Sequence, residues 1–169
     1  MSDLAVFRST KDHFVRHDPQ SPLTGAQRAT FTGLSYFNEE PSLRFTLQVQ
    51  PFPEQDNIEI QTTTGGVASF VKWAKIEFSV DGATAELTVY KDGTDGSFFL
   101  PFADSTSGDE TYGSGRYVEP KAQSDVSLLV DFNYAYNPYC AYNEEWACPI
   151  TPAENRLRIP IRAGEKKFE

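Results

Sequence analysis

Apolar and polar residues alternate along a stretch that carries a tight-turn dipeptide at its centre. In "KIEFSVDGATAELTVYKD", residues 75–92, the apolar Ile76, Phe78 and Val80 alternate with polar residues up to Asp81–Gly82. An Asp-Gly pair favours a two-residue hairpin turn, and the alternation is typical of a strand with one buried face. The stretch therefore predicts a β-hairpin.

Other stretches of the same kind lie on both sides of this hairpin. "NIEIQTTTGGVASFVKW", residues 57–73, predicts a second hairpin that turns at Gly65–Gly66. Four further strands are predicted within residues 44–52, 97–102, 126–136 and 156–161. The last of them is expected at a sheet edge, because Pro160 has no N–H for a ladder hydrogen bond.

One helix is predicted, at the N-terminus. Ser2 is a suitable N-cap, and the prolines at 19 and 22 end the helix. The helix is amphipathic, with Leu4, Phe7, Lys11 and Phe14 along one stripe. Strands in series after one short helix predict a mainly β fold, an antiparallel β-sandwich or small β-barrel, with a long irregular C-terminal stretch.

The length of 169 residues, 39% of them hydrophobic, suits one globular domain. We expect an N-terminal helix over 1–18, a β-rich core over 30–162 and a tail over 163–169.

The charge of the chain limits its partners. The net charge is −9 and the basic residues are scattered, so we expect neither nucleic acid nor an anionic membrane as a partner. The sequence shows no apolar run long enough to span a bilayer and no leader, which predicts a soluble, cytoplasmic protein with reduced thiols. It indicates no cofactor and leaves the oligomeric state open.

Several longer motifs follow one another in a fixed order. They are Lys11–Asp12, Ser21–Leu23, Phe31–Phe37, Pro101–Tyr117, Asp131–Tyr142, Cys148–Leu157 and Ala163–Lys166. In these motifs the chain resembles the domain of unknown function 1684 family, a set of prokaryotic proteins without an established activity. The resemblance implies that the glycine loop within 101–117 and the Asn-Pro-Cys stretch within 131–142 belong to one characteristic unit, and it supplies no mechanism.

The long polar loop 103–117 contains a candidate anion anchor. Gly113 and Gly115 allow positive φ, so backbone N–H groups can face an anion, and the adjacent Arg116 has a planar fork suited to carboxylate or phosphate. The alternative is an ordinary β-turn in which Arg116 pairs with one of the many carboxylates.

The stretch 131–142 offers polar groups beside aromatic walls. Asp131 and Asn133 share one face of a strand, and Asn137–Pro138 starts a turn. The aromatic residues are Tyr134, Tyr136, Tyr139 and Tyr142. Such a set can form a small-ligand pocket, or it can close the core with hydroxyls at its rim.

The two cysteines, Cys140 and Cys148, do not have the spacing of a zinc knuckle or a thioredoxin-like site. Two buried free thiols are favoured over a disulfide. His13 and His17 could complete a zinc set only if the helix packs on this stretch, and no metal site is predicted. As a nucleophile, Cys140 would need a nearby acid–base group, for which Asp131, Tyr136 and Glu154 are the candidates.

Three functions remain open from the sequence. The leading one is a small-molecule binding β domain for an anionic ligand, with catalysis undecided. The alternatives are a non-catalytic structural or protein-interaction module, and a hydrolase or redox enzyme that uses Cys140. The predicted ligand-binding residues are Gly113, Gly115, Arg116, Tyr117, Asp131, Asn133, Tyr136, Asn137 and Cys140.

Overall fold

The structure is a computed structural model and describes residues 1–168. The helices are α1 (Asp3–His17) and α2 (Gly25–Thr30). The strands are β1 (Arg44–Gln48), β2 (Gln50–Pro51), β3 (Asn57–Gln61), β4 (Val67–Val80), β5 (Ala83–Asp92), β6 (Phe98–Phe102), β7 (Arg116–Val118), β8 (Lys121–Ser124) and β9 (Ser127–Asp131). Single 3₁₀ turns lie at Pro41–Leu43, Phe132–Tyr134, Tyr139–Ala141 and Ala153–Asn155.

The strands form two antiparallel sheets that stay separate. One has the order β1-β9-β8, and the other has the order β2-β4-β5-β6-β7, with β3 beside β2 on the same edge of β4. Apolar side chains of both sheets pack into one cluster, as Phe45, Phe78 and Phe132 do with ring centroids 5.1 to 6.1 Å apart. Of the two predicted architectures, the sandwich is therefore the one that forms.

The hairpin predicted at Asp81–Gly82 is confirmed. β4 and β5 pair through it with Ile76 opposite Leu87. Asp81 has φ 49° and Gly82 has φ 82°, the left-handed conformation that a tight turn between twisted strands requires. The alternating apolar residues are buried, which fixes the register of this pair. The second predicted hairpin is confirmed as β3 and β4.

Two local predictions are corrected. A second helix, α2, was not expected, although Thr24 and Gln27 form a capping box that the sequence contains. The edge strand predicted over 156–161 is absent from the described residues: the chain bends at 158–159 and makes only single bonds, such as Leu157 N–H to the Ala103 carbonyl at 2.7 Å. Pro160 removes one donor, so a continuous ladder does not form.

The predicted tail also differs from the structure. Within 163–168, Ala163 is 0% exposed and Glu165 is 1% exposed. The backbone of Glu165 forms an isolated antiparallel β-bridge with that of Tyr36. This part of the chain packs inside the fold because its backbone finds partners there; for example, the Glu165 N–H donates to the Ala135 carbonyl at 3.0 Å. Glu169 lies outside the described residues.

The side chain of Asn155 supplies the hydrogen bonds that a neighbouring strand would otherwise give to β5 at Thr88. β5 pairs with β6 only near Tyr90 and Lys91, so Thr88 has no strand partner there. The Asn155 amide accepts from the Thr88 N–H and donates to the Thr88 carbonyl, both at 2.8 Å, and donates to the Pro101 carbonyl at 2.7 Å. It is fully buried, so its three bonds replace a ladder where water cannot reach.

Asn155→Ala is expected to lower the free energy of unfolding by about 2–4 kcal/mol, because it leaves buried backbone groups without partners. Urea unfolding followed by circular dichroism measures the change. Asn38→Ala, at an exposed position, is the control and should stay within about 0.5 kcal/mol of wild type. An equal effect of both substitutions would contradict this role of Asn155.

Candidate functional site

The guanidinium of Arg116 is enclosed by the C-terminal segment. Its Nη1 donates to the carbonyls of Ala163 at 2.5 Å and Glu165 at 3.1 Å. Its Nη2 donates to the Ile161 carbonyl at 2.8 Å and lies 3.4 Å from Asp104 Oδ2. The side chain is 1% exposed. The arginine fork predicted for an external anion thus binds three carbonyls and one carboxylate of the chain itself.

Arg116 keeps its charge in this position. Burial lowers the pKa of Arg116 to about 10, while the carboxylates of Asp104 and Glu165 oppose the shift. The guanidinium also lies over the Phe102 ring, 5.0 Å from its centroid. A cation at neutral pH is therefore matched by a carboxylate, carbonyl dipoles and an aromatic face.

Asp104 connects the polar loop to the C-terminal segment. Its Oδ1 accepts from the Thr106 hydroxyl at 2.6 Å and from the Thr106 N–H at 3.2 Å. Its Oδ2 accepts from the Ile161 N–H at 2.6 Å. The loop also buries Thr111, which is 0% exposed. Hence the long polar loop is packed against the protein at these residues.

Gly115 has the positive φ expected from the sequence, at +101°. Its N–H donates to the Tyr112 carbonyl at 3.0 Å. A Cβ at this position would lie 2.5 Å from the Phe102 carbonyl oxygen and 2.7 Å from Thr151 Oγ1. Gly113 is different, since a Cβ there would make only ordinary contacts. Gly115 is therefore required by close packing as well as by its φ.

Glu165 is a buried carboxylate with four donors. The Lys11 ammonium lies 3.0 Å from its Oε2, and the Asn137 N–H donates to the same oxygen at 3.0 Å. The Asn137 side-chain amide and the Tyr142 hydroxyl donate to its Oε1. Burial raises the pKa of Glu165 above its ordinary value, and Lys11, the Asn137 N–H and Arg116 oppose that shift.

Asn137 and the tyrosine before it fix the turn that follows β9. The Asn137 amide also donates to the Lys166 carbonyl at 3.0 Å. Tyr136 and Tyr117 exchange two backbone hydrogen bonds of 2.9 Å each, and the Tyr117 hydroxyl donates to the Pro149 carbonyl at 2.5 Å. The Tyr136 hydroxyl donates to a carboxylate oxygen of Glu119 at 3.2 Å. The turn is thus bonded at both ends to other segments.

Asp131 and Asn133 bind a different part of the chain. Asp131 Oδ1 caps the 3₁₀ turn by accepting from the Asn133 N–H at 3.0 Å and its amide at 2.9 Å. The Asn133 side chain exchanges two hydrogen bonds with the Glu40 backbone, at 2.8 and 3.0 Å. Arg44 lies 4.0 Å from Asp131. Asn133 and Asp131 therefore hold the segment from Glu40 to Arg44, which leads into β1.

The two cysteines are buried free thiols, as the sequence favoured. Cys140 Sγ lies 3.6 Å from the Tyr112 hydroxyl. The rings of His13 and His17 are tilted by 47° with centroids 4.7 Å apart, and both residues line an open cleft beside α1. Among residues 1–168, no three His, Cys, Asp or Glu side chains are grouped so that they could hold a metal ion.

The structure joins some of the predicted residues and separates others. Arg116 and Asn137 both form hydrogen bonds with Glu165. Asp131 and Asn133 are bonded to each other instead, and Asn133 binds the Glu40 backbone. The sequence analysis did not identify Lys11, Asp104 and Glu165 as partners of Arg116 and Asn137, although all three lie in the motifs of the family resemblance. We call the set the buried polar network: Lys11, Asp104, Arg116, Asn137, Tyr142 and Glu165.

The fold and this network define a β-sandwich protein whose irregular C-terminal segment is held in place by buried charged groups. The chain belongs to the family described as Protein of unknown function (DUF1684), whose model matches residues 29–166. It is similar to an uncharacterized protein of Haloarcula marismortui, known from a solution NMR structure, with 32% identity and a TM-score of 0.76 over 96% of this chain and 91% of that chain. No curated protein matches the chain. Neither helix among the described residues is long and apolar enough to cross a membrane.

Gly115→Ala is expected to cost at least about 2 kcal/mol of unfolding free energy, because it combines an unfavourable φ with overlap against backbone. Gly113→Ala is the matched control, two residues away with ordinary contacts, and should change stability little. Urea unfolding compares the two variants. A Gly115→Ala protein as stable as Gly113→Ala would show that the close approach to Phe102 is not required.

The raised pKa of Glu165 predicts that the free energy of unfolding depends on pH. The folded state holds this proton more tightly than the unfolded state, so the stabilising contribution is complete below the unfolded pKa of about 4.3 and is lost as pH rises through the raised folded pKa. Wild type should therefore lose more stability than Glu165→Gln between about pH 4.5 and about pH 8, by about 1.4 kcal/mol per unit of pKa difference.

Urea unfolding at the two pH values measures this difference. The exposed Glu144→Gln is the control and should follow the wild-type pH dependence. If Glu165→Gln follows it as well, Glu165 does not carry the predicted linkage.

Proposed function

We propose that this protein is a non-catalytic structural or protein-interaction module. In this role the residues of the long motifs keep an irregular C-terminal stretch inside the fold. The observation that carries the proposal is the environment of Arg116: three carbonyls and the Asp104 carboxylate surround its guanidinium, which is 1% exposed. The donors that an anionic ligand would need are already engaged.

The physical argument rests on desolvation. Removing a guanidinium from water is costly, and only close charged and dipolar acceptors offset that cost. A small anion that displaced the carbonyls of Ile161, Ala163 and Glu165 would leave them buried without donors. Each lost partner costs about 1–3 kcal/mol, so binding would oppose the packing of the segment.

The role in binding a small anion through Gly113, Gly115, Arg116 and Tyr117 stays a prediction. It would require the C-terminal segment to leave Arg116 before the ligand enters. Among the other predicted residues, Asn133 and Asn137 also use their side chains on the backbone of the chain. The expected cytoplasmic location and the exclusion of nucleic-acid and membrane partners likewise stay predictions.

The Arg116→Ala substitution distinguishes the structural module from an anion-binding domain. We expect it to cost about 3–5 kcal/mol, because it leaves the Asp104 carboxylate buried and unpaired. Arg158→Ala, at an exposed arginine, is the control and should stay within about 0.5 kcal/mol of wild type. Urea unfolding gives both values, and thermal unfolding of wild type with phosphate, sulfate and citrate should show no saturable stabilisation.

The opposite pattern would overturn the proposal. It consists of an Arg116→Ala protein that folds with wild-type stability, together with a saturable anion effect on wild type that the variant has lost. In that case Arg116 would serve a ligand, and the module would be a binding domain.

A further inference from the structure

The two cysteines lie side by side at the ends of a short loop. Cys140 lies in the 3₁₀ turn Tyr139–Ala141, and its N–H donates to Cys148 Sγ at 3.2 Å. Cys148 Sγ therefore lies against the Cys140 backbone, which makes the two side chains neighbours, as a disulfide requires.

This pair lies close beneath the surface. Cys140 is 5% exposed and Cys148 is 6% exposed. Between and beside them in the chain stand Tyr139 and Trp146, whose rings pack 5.2 Å apart and which are 38% and 39% exposed. Trp146, in the loop between the cysteines, and Tyr139, directly before Cys140, thus present their rings to solvent next to the pair.

The loop is bonded to several distant segments of the chain. The Trp146 indole N–H donates to the Pro22 carbonyl at 3.2 Å, and the Thr63 hydroxyl donates to the Trp146 carbonyl at 3.0 Å. Thr63 Oγ1 also accepts from the Cys148 N–H at 3.2 Å. Tyr142, in the same loop, is buried and donates to Glu165, so access of a reagent to the sulfurs depends on local opening of this loop.

Hydrogen-bond donors favour one thiolate in the pair. The hydrogen bond from the Cys148 thiol is the largest cause that lowers the pKa of Cys140; burial opposes it, and the Tyr112 hydroxyl adds to the lowering. The same thiol–thiol bond, together with burial, raises the pKa of Cys148. The first ionisation of the pair is thus favoured at Cys140, and the second, at Cys148, is opposed.

We propose that Cys140 and Cys148 form a dithiol–disulfide site that reacts with low-molecular-weight disulfides. The Cys140 thiolate attacks one sulfur of the small disulfide; its S–S bond breaks, and one thiolate leaves and takes up a proton. The Cys148 sulfur then attacks Cys140, expels the second small thiol and closes the protein disulfide. The protein dithiol loses two electrons and two protons, and the small disulfide becomes two thiols.

The neighbouring sulfur supports this chemistry over hydrolysis. A nucleophilic hydrolase needs a general base that takes the proton of its nucleophile and an oxyanion hole. The side chains around the Cys140 thiol are a second thiol and the hydroxyls of Tyr112 and Thr63, none of which is a general base of the required kind. A second thiol is the group that resolves a mixed disulfide. This inference is independent of the structural role proposed for Arg116.

The test exposes the folded wild-type protein to glutathione disulfide and reads the product by intact mass spectrometry. We expect the loss of two hydrogen atoms and no bound glutathione. Cys148→Ser should instead accumulate one glutathione at Cys140, and Cys140→Ser should react on the order of tenfold more slowly. Circular dichroism of each variant checks that it is folded.

A second readout needs no variant. The rate of alkylation by iodoacetamide should reach half its maximum below the usual thiol pKa of about 8.5. The proposal is overturned if folded wild type keeps both thiols, if glutathione remains bound to it at the end of the reaction, or if alkylation titrates at or above that ordinary value.

Discussion

The guanidinium of Arg116 is the contact on which the C-terminal part of the molecule depends. Residues 161–166 form no strand, so their backbone groups lack the ladder that satisfies β4 and β5. Arg116 binds three of their carbonyls at once, and Asp104 accepts from the Ile161 N–H. An irregular segment can be buried only if such partners are supplied.

Each cation of the buried polar network faces a carboxyl group, which explains how it can lie inside the fold. Lys11 faces Glu165, and Arg116 faces Asp104. Each cation lies within 3.4 Å of a carboxylate oxygen. Pairing and hydrogen bonding together offset the cost of desolvating these groups, whereas an isolated charge would be expelled or neutralised. The network also brings α1, the polar loop and the last residues of the chain to one place.

Local signals in the sequence were sufficient for the two hairpins and insufficient for the network. The Asp81–Gly82 turn and its alternating neighbours specify a hairpin from adjacent residues alone. The sequence also marked Arg116 as a group that binds acceptors, but the nature of those acceptors depends on residues such as Glu165, 49 positions along the chain. "AGEK" is short, polar and without periodicity, so it predicted a tail; its burial follows from partners as distant as Lys11, 154 positions away.

Native-state hydrogen exchange tests the central claim most directly. If Arg116 and Asp104 hold residues 161–166 inside the fold, the N–H groups of Ile161 and Glu165 will exchange only through global unfolding. Their exchange free energies should then match that of a core amide such as Ile76, which is 0% exposed on β4. Exchange of Ile161 and Glu165 at the rate of an exposed chain end, while Ile76 stays protected, would contradict the claim.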